Sequence, residues 1–154
     1  MTKNVLEITY EQYGSVEELS AEDRELAQAA VQAISGSYAP YSKFNVGAAV
    51  RMSDGTIVTG ANQENAAFPS GLCAERTAMF AASSRYPDKD MLSIAIAGGV
   101  LGMLGSSPAT PCGACRQVMA QYQAKSGKPM SVIMVADGLI WKFDRVDDIL
   151  PLIF

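Results

Sequence analysis

The sequence predicts an α/β protein in which a sheet of about five strands carries helices on its faces. Two observations predict this fold class. Segments with apolar residues at helical spacing alternate with short runs rich in β-branched residues, and turn-forming Gly, Pro, Ser and Asp residues separate them. The length of 154 residues suits one domain with its own core. No repeat, charge block or linker marks a boundary, so one domain is expected.

A helix and a β-hairpin are predicted in the first part of the chain. Ser20 can cap a helix, and apolar residues recur at helical spacing until Gly36, which predicts a helix over about residues 20–36. Residues 45–62 contain two apolar runs separated by the turn signal Ser-Asp-Gly at 53–55. These runs predict the hairpin.

The rest of the chain continues the alternation of helix and strand. The expected elements are a loop over 62–72, an alanine-rich helix from about Cys73 to Pro87, a strand over 91–99, a Gly- and Pro-rich loop over 98–111, a helix over 112–125, and two strands around 137–138. This order favours helices packed on a sheet.

Composition and charge exclude several classes of function. The 12 basic and 16 acidic side chains give a net charge of −4, which is the wrong sign for binding long nucleic acid. No apolar run reaches the roughly 18 residues of a membrane helix. The first ten residues lack the features of a secretory signal, so a cytoplasmic protein that does not act at a membrane is expected.

The cysteines point to an open metal site. The chain has three cysteines and no histidine, whereas a closed structural zinc site needs four such ligands. Cys112 and Cys115 would lie on one face of the first turn of a helix, and Cys73 would open another helix. Three thiolates leave one tetrahedral position of zinc for water, as in catalytic sites.

Two charged residues follow Cys73 closely. Positions two apart on a continuous helix point in different directions, so Cys73 must lie at the helix cap if Glu75 is to reach the metal site. Arg76, three positions from Cys73, can lie on the same face. Its guanidinium would offset the net charge of about −1 that three thiolates and a divalent ion carry.

Simpler interpretations of these residues remain open. The Cys-x-x-Cys pair could be a redox dithiol, although such pairs usually follow the first strand of a thioredoxin-like unit and this pair lies late in the chain. The cysteines could also be small buried apolar residues. Glu75 and Arg76 alone would be an ordinary solvated pair in the first turn of a helix.

The segments "CAERTA" at 73–78 and "PCGACRQ" at 111–117 together resemble the cytidine deaminase family, in particular its small zinc enzymes with three cysteine ligands. "YSKFNVGAAV" and "GANQENAAF" add to this resemblance. It implies a three-layer α/β/α fold with a mixed sheet, one Zn²⁺ per subunit and a homotetramer. Residues 20–154 would form a single deaminase domain, and residues 1–19 an extension of unknown role, such as an added strand or an oligomer contact.

The resemblance also implies roles for individual residues. Cys73, Cys112 and Cys115 would bind zinc, and Glu75 would shuttle protons, with Arg76 beside the ligands. Phe44 would pack on the base, Asn62 and Glu64 would hydrogen-bond the ribose, and Phe154 of a neighbouring subunit would cover the base. The implied reaction is hydrolysis of cytidine and 2′-deoxycytidine to uridine and 2′-deoxyuridine with release of ammonia, as in pyrimidine salvage.

The negative charge of Glu64 beside the sugar should disfavour a 5′-phosphate, so a free nucleoside is the expected substrate. Taken without the resemblance, Phe44 would be a core residue and residues 62–65 an exposed turn.

This sequence departs from the family in the loop before Cys73. Phe68 stands where many relatives have tyrosine, so a hydroxyl is missing, and Pro69 could reshape the rim of the pocket. Two alternative functions remain. One is deamination of another cytosine nucleoside such as blasticidin S, whose enzymes carry similar motifs. The other is a zinc or nucleoside binder without turnover, against which the intact Glu75 argues.

Overall fold

Six strands form one mixed sheet in a computed structural model that describes residues 1–154. The strands are β1 (Glu11–Tyr13), β2 (Phe44–Met52), β3 (Ile57–Ala61), β4 (Met91–Val100), β5 (Ser131–Ala136) and β6 (Leu139–Phe143). Their spatial order is β1-β6-β5-β4-β2-β3, and only β4 and β5 run parallel. The expected mixed α/β sheet is confirmed, with six strands rather than about five.

The additional strand is β1, which pairs antiparallel with β6 at the edge of the sheet. Its three residues are polar or half-exposed, so they show no alternation of apolar and polar side chains that could predict a strand. Tyr10, just before β1, packs its ring on Trp141 and Phe143, with ring centroids 5.6 and 5.2 Å apart. Part of the segment 1–19 therefore lies in the same sheet as the rest of the chain.

Three α-helices cover the two faces of the sheet: α1 (Ala21–Ala33), α2 (Ala74–Arg85) and α3 (Gly113–Ser126). The Ser20 side chain caps α1 by accepting a hydrogen bond from the Asp23 N–H at 3.2 Å. Gly127 ends α3 at a φ of 65°, a left-handed conformation that favours glycine. None of these helices has the length and apolar character needed to cross a membrane.

Alternate residues of the central strands face opposite layers of helix. Ala49, Ala95 and Ile133 pack towards α1, whereas their neighbours Val50, Ile94 and Val132 pack towards α2 and α3. The expected three-layer α/β/α fold is confirmed. Because α2 and α3 share one face of the sheet, their N-terminal ends can meet there.

Small residues in the hairpin let the helices approach the sheet closely. A Cβ atom on Gly47 would lie 2.2 Å from the carbonyl oxygen of Ala30 in α1. A Cβ atom on Gly60 would lie 2.4 Å from the backbone nitrogen of Ala78 in α2. Both contacts are shorter than any side chain tolerates, so these glycines fix α1 and α2 close against β2 and β3.

Candidate active site

The three cysteine thiols form one cluster where two helices begin. Cys73 is the N-cap residue of α2, Cys112 is the N-cap residue of α3, and Cys115 lies in the first turn of α3. The Cys73 and Cys112 sulfurs are 3.9 Å apart, the Cys112 and Cys115 sulfurs are 3.5 Å apart, and all three lie within 4.8 Å of one another. The predicted convergence of two helix starts is confirmed.

This cluster has the dimensions of a zinc site. Zinc held tetrahedrally by thiolates at about 2.3 Å requires sulfur atoms about 3.8 Å apart. The observed separations of 3.9 and 3.5 Å agree with that value. The three sulfurs are a soft donor set of the kind that zinc prefers, and they leave one of its four positions for water.

The surroundings of the cluster favour a thiolate at Cys73. A hydrogen bond from the Cys115 thiol, with further hydrogen bonds from the Arg76 guanidinium and Cys112, lowers the pKa of Cys73 to about 5. The pKa of Cys115 is raised, because its thiol donates to Cys73 and is buried. A second and third thiolate in so small a space repel the first, so a cation is needed to hold all three.

Arg76 lies beside the cluster, as its spacing from Cys73 predicted. Its Nη2 is 3.7 Å from the Cys73 sulfur, and that contact raises the pKa of the guanidinium. The Nε of Arg76 is buried and has no hydrogen-bond partner in the protein. Arg76 therefore supplies a positive charge close to the sulfurs.

Glu75 is buried next to the cluster, with 5% of its surface exposed. Since Cys73 precedes the first helical residue, Glu75 is the second residue of α2, and both side chains reach the same cavity. Burial raises the pKa of Glu75 to about 7, and the negative charge of Cys73 adds to the effect. A carboxyl group with a pKa near neutrality can both accept and donate a proton at physiological pH.

A cavity of about 500 Å³ opens onto these groups. Its lining includes Phe44, Asn62, Cys73, Glu75 and Cys112. Residues 107–110 of the loop between β4 and α3 also line it. The cavity thus combines a cluster of thiols, a buried acid, an aromatic ring and an amide, within a volume that suits a small ligand.

Residues 20–128, more than half of the chain, match the family model described as the cytidine and deoxycytidylate deaminase zinc-binding region. The chain belongs to this family. Its thiol cluster and buried carboxyl group agree with the zinc-binding character of the family.

Individual members of the cytidine deaminase family are also similar to the chain. A cytidine deaminase of Halalkalibacterium halodurans is 48% identical over 96 residues, which cover 62% of this chain and 68% of the relative. The crystal structure of a cytidine deaminase from Burkholderia pseudomallei has a TM-score of 0.73 and 38% identity, covering 84% of this chain and 97% of that one. A cytidine deaminase structure from Mycobacterium tuberculosis has a TM-score of 0.70 and 33% identity, covering 88% and 98%.

Phe44 and Asn62 contact each other in the lining of the cavity. Phe44, the first residue of β2, is 39% exposed, so it is not a core residue. The Asn62 amide donates to the Phe44 carbonyl at 2.9 Å and accepts from the Val46 N–H at 2.8 Å and from the Ser37 hydroxyl. These bonds fix the start of β2 and leave one amide hydrogen of Asn62 for another partner.

Glu64 lies in a second cavity, of about 690 Å³, which shares Asn62 and Cys73 with the first. Its Oε2 accepts hydrogen bonds from the Tyr41 and Ser42 N–H groups at 2.8 and 3.2 Å. Hydrogen bonding to Ser42, and to the Tyr41 backbone, holds the pKa of Glu64 below its usual range. Glu64 is therefore negatively charged at neutral pH, in a cavity that shares two lining residues with the first.

The C-terminal residue Phe154 lies away from both cavities. The last three residues form an apolar tail that does not fold into the core: Leu152, Ile153 and Phe154 are 81%, 44% and 108% exposed. Phe68, in the loop before Cys73, is also exposed, at 91%. It lines the second cavity together with Pro69.

Sequence reasoning missed two parts of this region. Residues 107–110 line the cavity, but their Ser, Pro and Ala side chains predict only a loop. Arg116, directly after Cys115, donates to the carbonyl oxygens of Pro111 and Ile149 at 2.8 and 3.0 Å. Neither acceptor is visible in the sequence, because both are backbone atoms placed by the tertiary fold.

Proposed function

We propose that this protein is a zinc-dependent hydrolase that deaminates cytidine and 2′-deoxycytidine to uridine and 2′-deoxyuridine with release of ammonia. The observation that carries this proposal is the buried Glu75, which lines the same cavity as two thiols of the three-cysteine cluster. Membership of the family and the cytidine deaminase relatives support the reaction type.

Cys73, Cys112 and Cys115 would hold the zinc ion, with Arg76 offsetting the excess negative charge of the sulfurs. When bound, zinc supplies Lewis-acid chemistry, which lowers the pKa of water at its open position to about 7. The short sulfur separations and the absence of a fourth Cys or His ligand support an ion that keeps such an open position.

Glu75 would move the protons of the reaction. Deamination replaces the C4 amino group of the base by an oxygen atom from water. The Glu75 carboxylate would take one proton from the attacking water and deliver it to N3 of the base as the new C4–O bond forms. It would then carry the remaining proton of the added hydroxyl to the amino group, which leaves as ammonia when the C4–N bond breaks. A buried carboxyl group beside the thiol cluster suits a role as base first and acid afterwards.

The base and the ribose of the substrate would lie in two neighbouring cavities, which share Asn62 and Cys73 in their linings. Phe44 would cover the base in the first cavity, next to Glu75. The free amide hydrogen of Asn62 and the ionised Glu64 would bind ribose hydroxyls where the first cavity meets the second. The charge of Glu64 would repel a 5′-phosphate, so nucleosides should be preferred to nucleotides.

The exposed apolar tail supports a homotetramer in which Phe154 covers the base in a neighbouring subunit. Three consecutive apolar residues in water are costly for a monomer and are typical of an interface.

In this proposal residues 20–154 form the single deaminase domain, and residues 1–19 are an extension of it. The enzyme serves pyrimidine salvage in the cytoplasm.

A substrate panel tests the proposal. Zinc-loaded protein should convert both cytidine and 2′-deoxycytidine, and convert cytidine 5′-monophosphate far more slowly. The relatives described above are cytidine deaminases, which favours cytidine over blasticidin S. A higher kcat/KM on blasticidin S would overturn the choice of substrate. Zinc-replete protein that releases no ammonia from any of these compounds would indicate a binder without turnover. A function that survives removal of the metal would indicate a redox dithiol.

A further inference from the structure

The Arg116 side chain binds two segments of the chain at once. Its Nε donates to the carbonyl oxygen of Pro111, the residue before Cys112, at 2.8 Å. Its Nη1 donates to the carbonyl oxygen of Ile149 at 3.0 Å. Two nitrogens of one planar guanidinium therefore bind the turn that carries a zinc ligand and the segment that leads to the C-terminus.

The surroundings of Arg116 strengthen both of its side-chain hydrogen bonds. Arg116 follows Cys115 directly and its own N–H donates to the Cys112 carbonyl, so its backbone is fixed in the first turn of α3. Both side-chain contacts are partly buried, which shields the charged donor from water. Hydrogen bonds from an ionised donor are stronger than neutral ones, and the guanidinium keeps its charge at every accessible pH.

We propose that Arg116 is a positioning residue. It fixes the position of the turn before the zinc ligand Cys112 relative to the start of the C-terminal tail. The inference rests on the proposed function for the roles of zinc and of the tail. The Pro111 contact limits the movement of the Cys112 backbone. The Ile149 contact lies just before the exposed residues 151–154, so it limits the movement of the segment from which they leave the domain.

A neighbouring residue of α3 provides a matched control. Gln123 anchors the same C-terminal segment at its other end, where its Oε1 accepts from the Val146 N–H at 3.0 Å and its Nε2 donates to Asp147 at 2.7 Å. Gln123 makes no contact with Pro111. Q123A therefore loosens the C-terminal segment without touching the turn that carries Cys112.

The test compares zinc-loaded wild type, R116M, R116K and Q123A in two measurements that do not depend on turnover. The first is the rate of zinc release to a chromogenic chelator. The second is amide hydrogen exchange in peptides that cover residues 106–112 and 146–154. R116M keeps the apolar stem without any donor. R116K restores the charge on a single nitrogen that lacks the planar fork, and it serves as the main variant if R116M does not fold.

We expect R116M to release zinc about tenfold faster or more, because hydrogen bonds from a charged donor are lost. R116K should be intermediate, and Q123A should release zinc at the wild-type rate. Exchange should accelerate in both peptides of R116M but only in the 146–154 peptide of Q123A. Wild-type zinc release from the Arg116 variants, or faster exchange in only one of their two peptides, would overturn the inference.

The two proposals fail in different ways. If the wild type does not deaminate cytidine but the Arg116 variants release zinc faster, only the proposed function is wrong. If the wild type is active and the variants match it in both measurements, only the role of Arg116 is wrong.

Discussion

The Sγ atoms of Cys73 and Cys112 lie 3.9 Å apart although 39 positions separate the two residues in the chain. Each residue caps the N-terminus of a helix, and both helices lie on the same face of the sheet. The pair forms only when α2 and α3 are in place, so metal binding and folding of this region are coupled.

Zinc should therefore stabilise the folded protein. At free zinc several hundredfold above its Kd, the gain in the free energy of unfolding should be roughly 3 to 4 kcal/mol. Thermal unfolding with and without a chelator measures it. C115A, which lacks the buried third thiol, should respond much less to the chelator, whereas T110A, altered beside Cys112 at a position that is no ligand, should respond like the wild type. An equal response of C115A and wild type would contradict the three-thiol site.

Glu75→Gln should abolish turnover without loss of metal. Removing a general acid–base should lower kcat by about 100-fold to 10,000-fold. The amide has the same size and carries no charge, so burying it should leave the melting temperature unchanged or higher. Steady-state kinetics, zinc content and thermal unfolding on one preparation check all three. Turnover close to that of the wild type would exclude Glu75 as the proton carrier.

Asn62→Asp should destabilise the fold by about 1 to 3 kcal/mol, because the lost N–H group leaves the Phe44 carbonyl without its partner and faces it with an acid. Urea unfolding measures the change. Asn65→Asp is the matched control, because Asn65 uses only its Oδ1, which accepts from the Ala67 N–H at 2.9 Å. Equal stability of the two variants would show that the Asn62 amide does not hold the start of β2.

Leu101→Gly should stabilise the protein by about 1 kcal/mol, because Leu101 has a left-handed φ of 55° that glycine adopts without strain. The leucine side chain is 69% exposed, so little packing is lost. Met103, equally exposed at 68%, has no positive φ, and Met103→Gly should be less stable than wild type. Urea unfolding of both variants decides the point, and a loss of stability in both would contradict it.

Tyr10→Ala should change the fluorescence of Trp141, which is the only tryptophan in the chain. The Tyr10 ring covers Trp141 and Phe143 at the edge of the sheet, so its removal admits water and should shift the emission to longer wavelength. Tyr38→Ala is the control, since Tyr38 makes no ring contact with Trp141. An unchanged spectrum of Tyr10→Ala would mean that residues 1–10 do not pack on the sheet in solution.

Much of the fold could be predicted because local signals and tertiary packing agree. The Ser20 cap, the turn at 53–55 and Gly127 mark element ends whose backbone requirements are visible in the residues themselves. The strand β1 could not be predicted, since it is short, polar and stabilised by pairing with β6 and by Tyr10. Its pairing partner β6, and the Trp141 ring on which Tyr10 packs, lie more than 120 positions away in the chain.

The candidate active site also has features that the sequence predicts and features that it does not. The thiols and Glu75 could be found from residue type and spacing, because metal ligation and proton transfer restrict which side chains can serve. The contacts of Arg116 with two carbonyl oxygens could not be found, since any residue supplies such acceptors. Two of the three hydrogen bonds of the Asn62 side chain depend likewise on where the fold places backbone atoms of β2.

A titration of zinc-stripped protein with zinc tests the three-thiol catalytic site most directly, with cytidine loss followed by ultraviolet absorbance and bound metal measured on the same sample. If one zinc ion held by the three thiolates catalyses the reaction, the rate should rise in proportion to bound zinc and saturate at about one ion per chain. Full activity in the stripped protein, or no uridine from fully loaded protein, would contradict it.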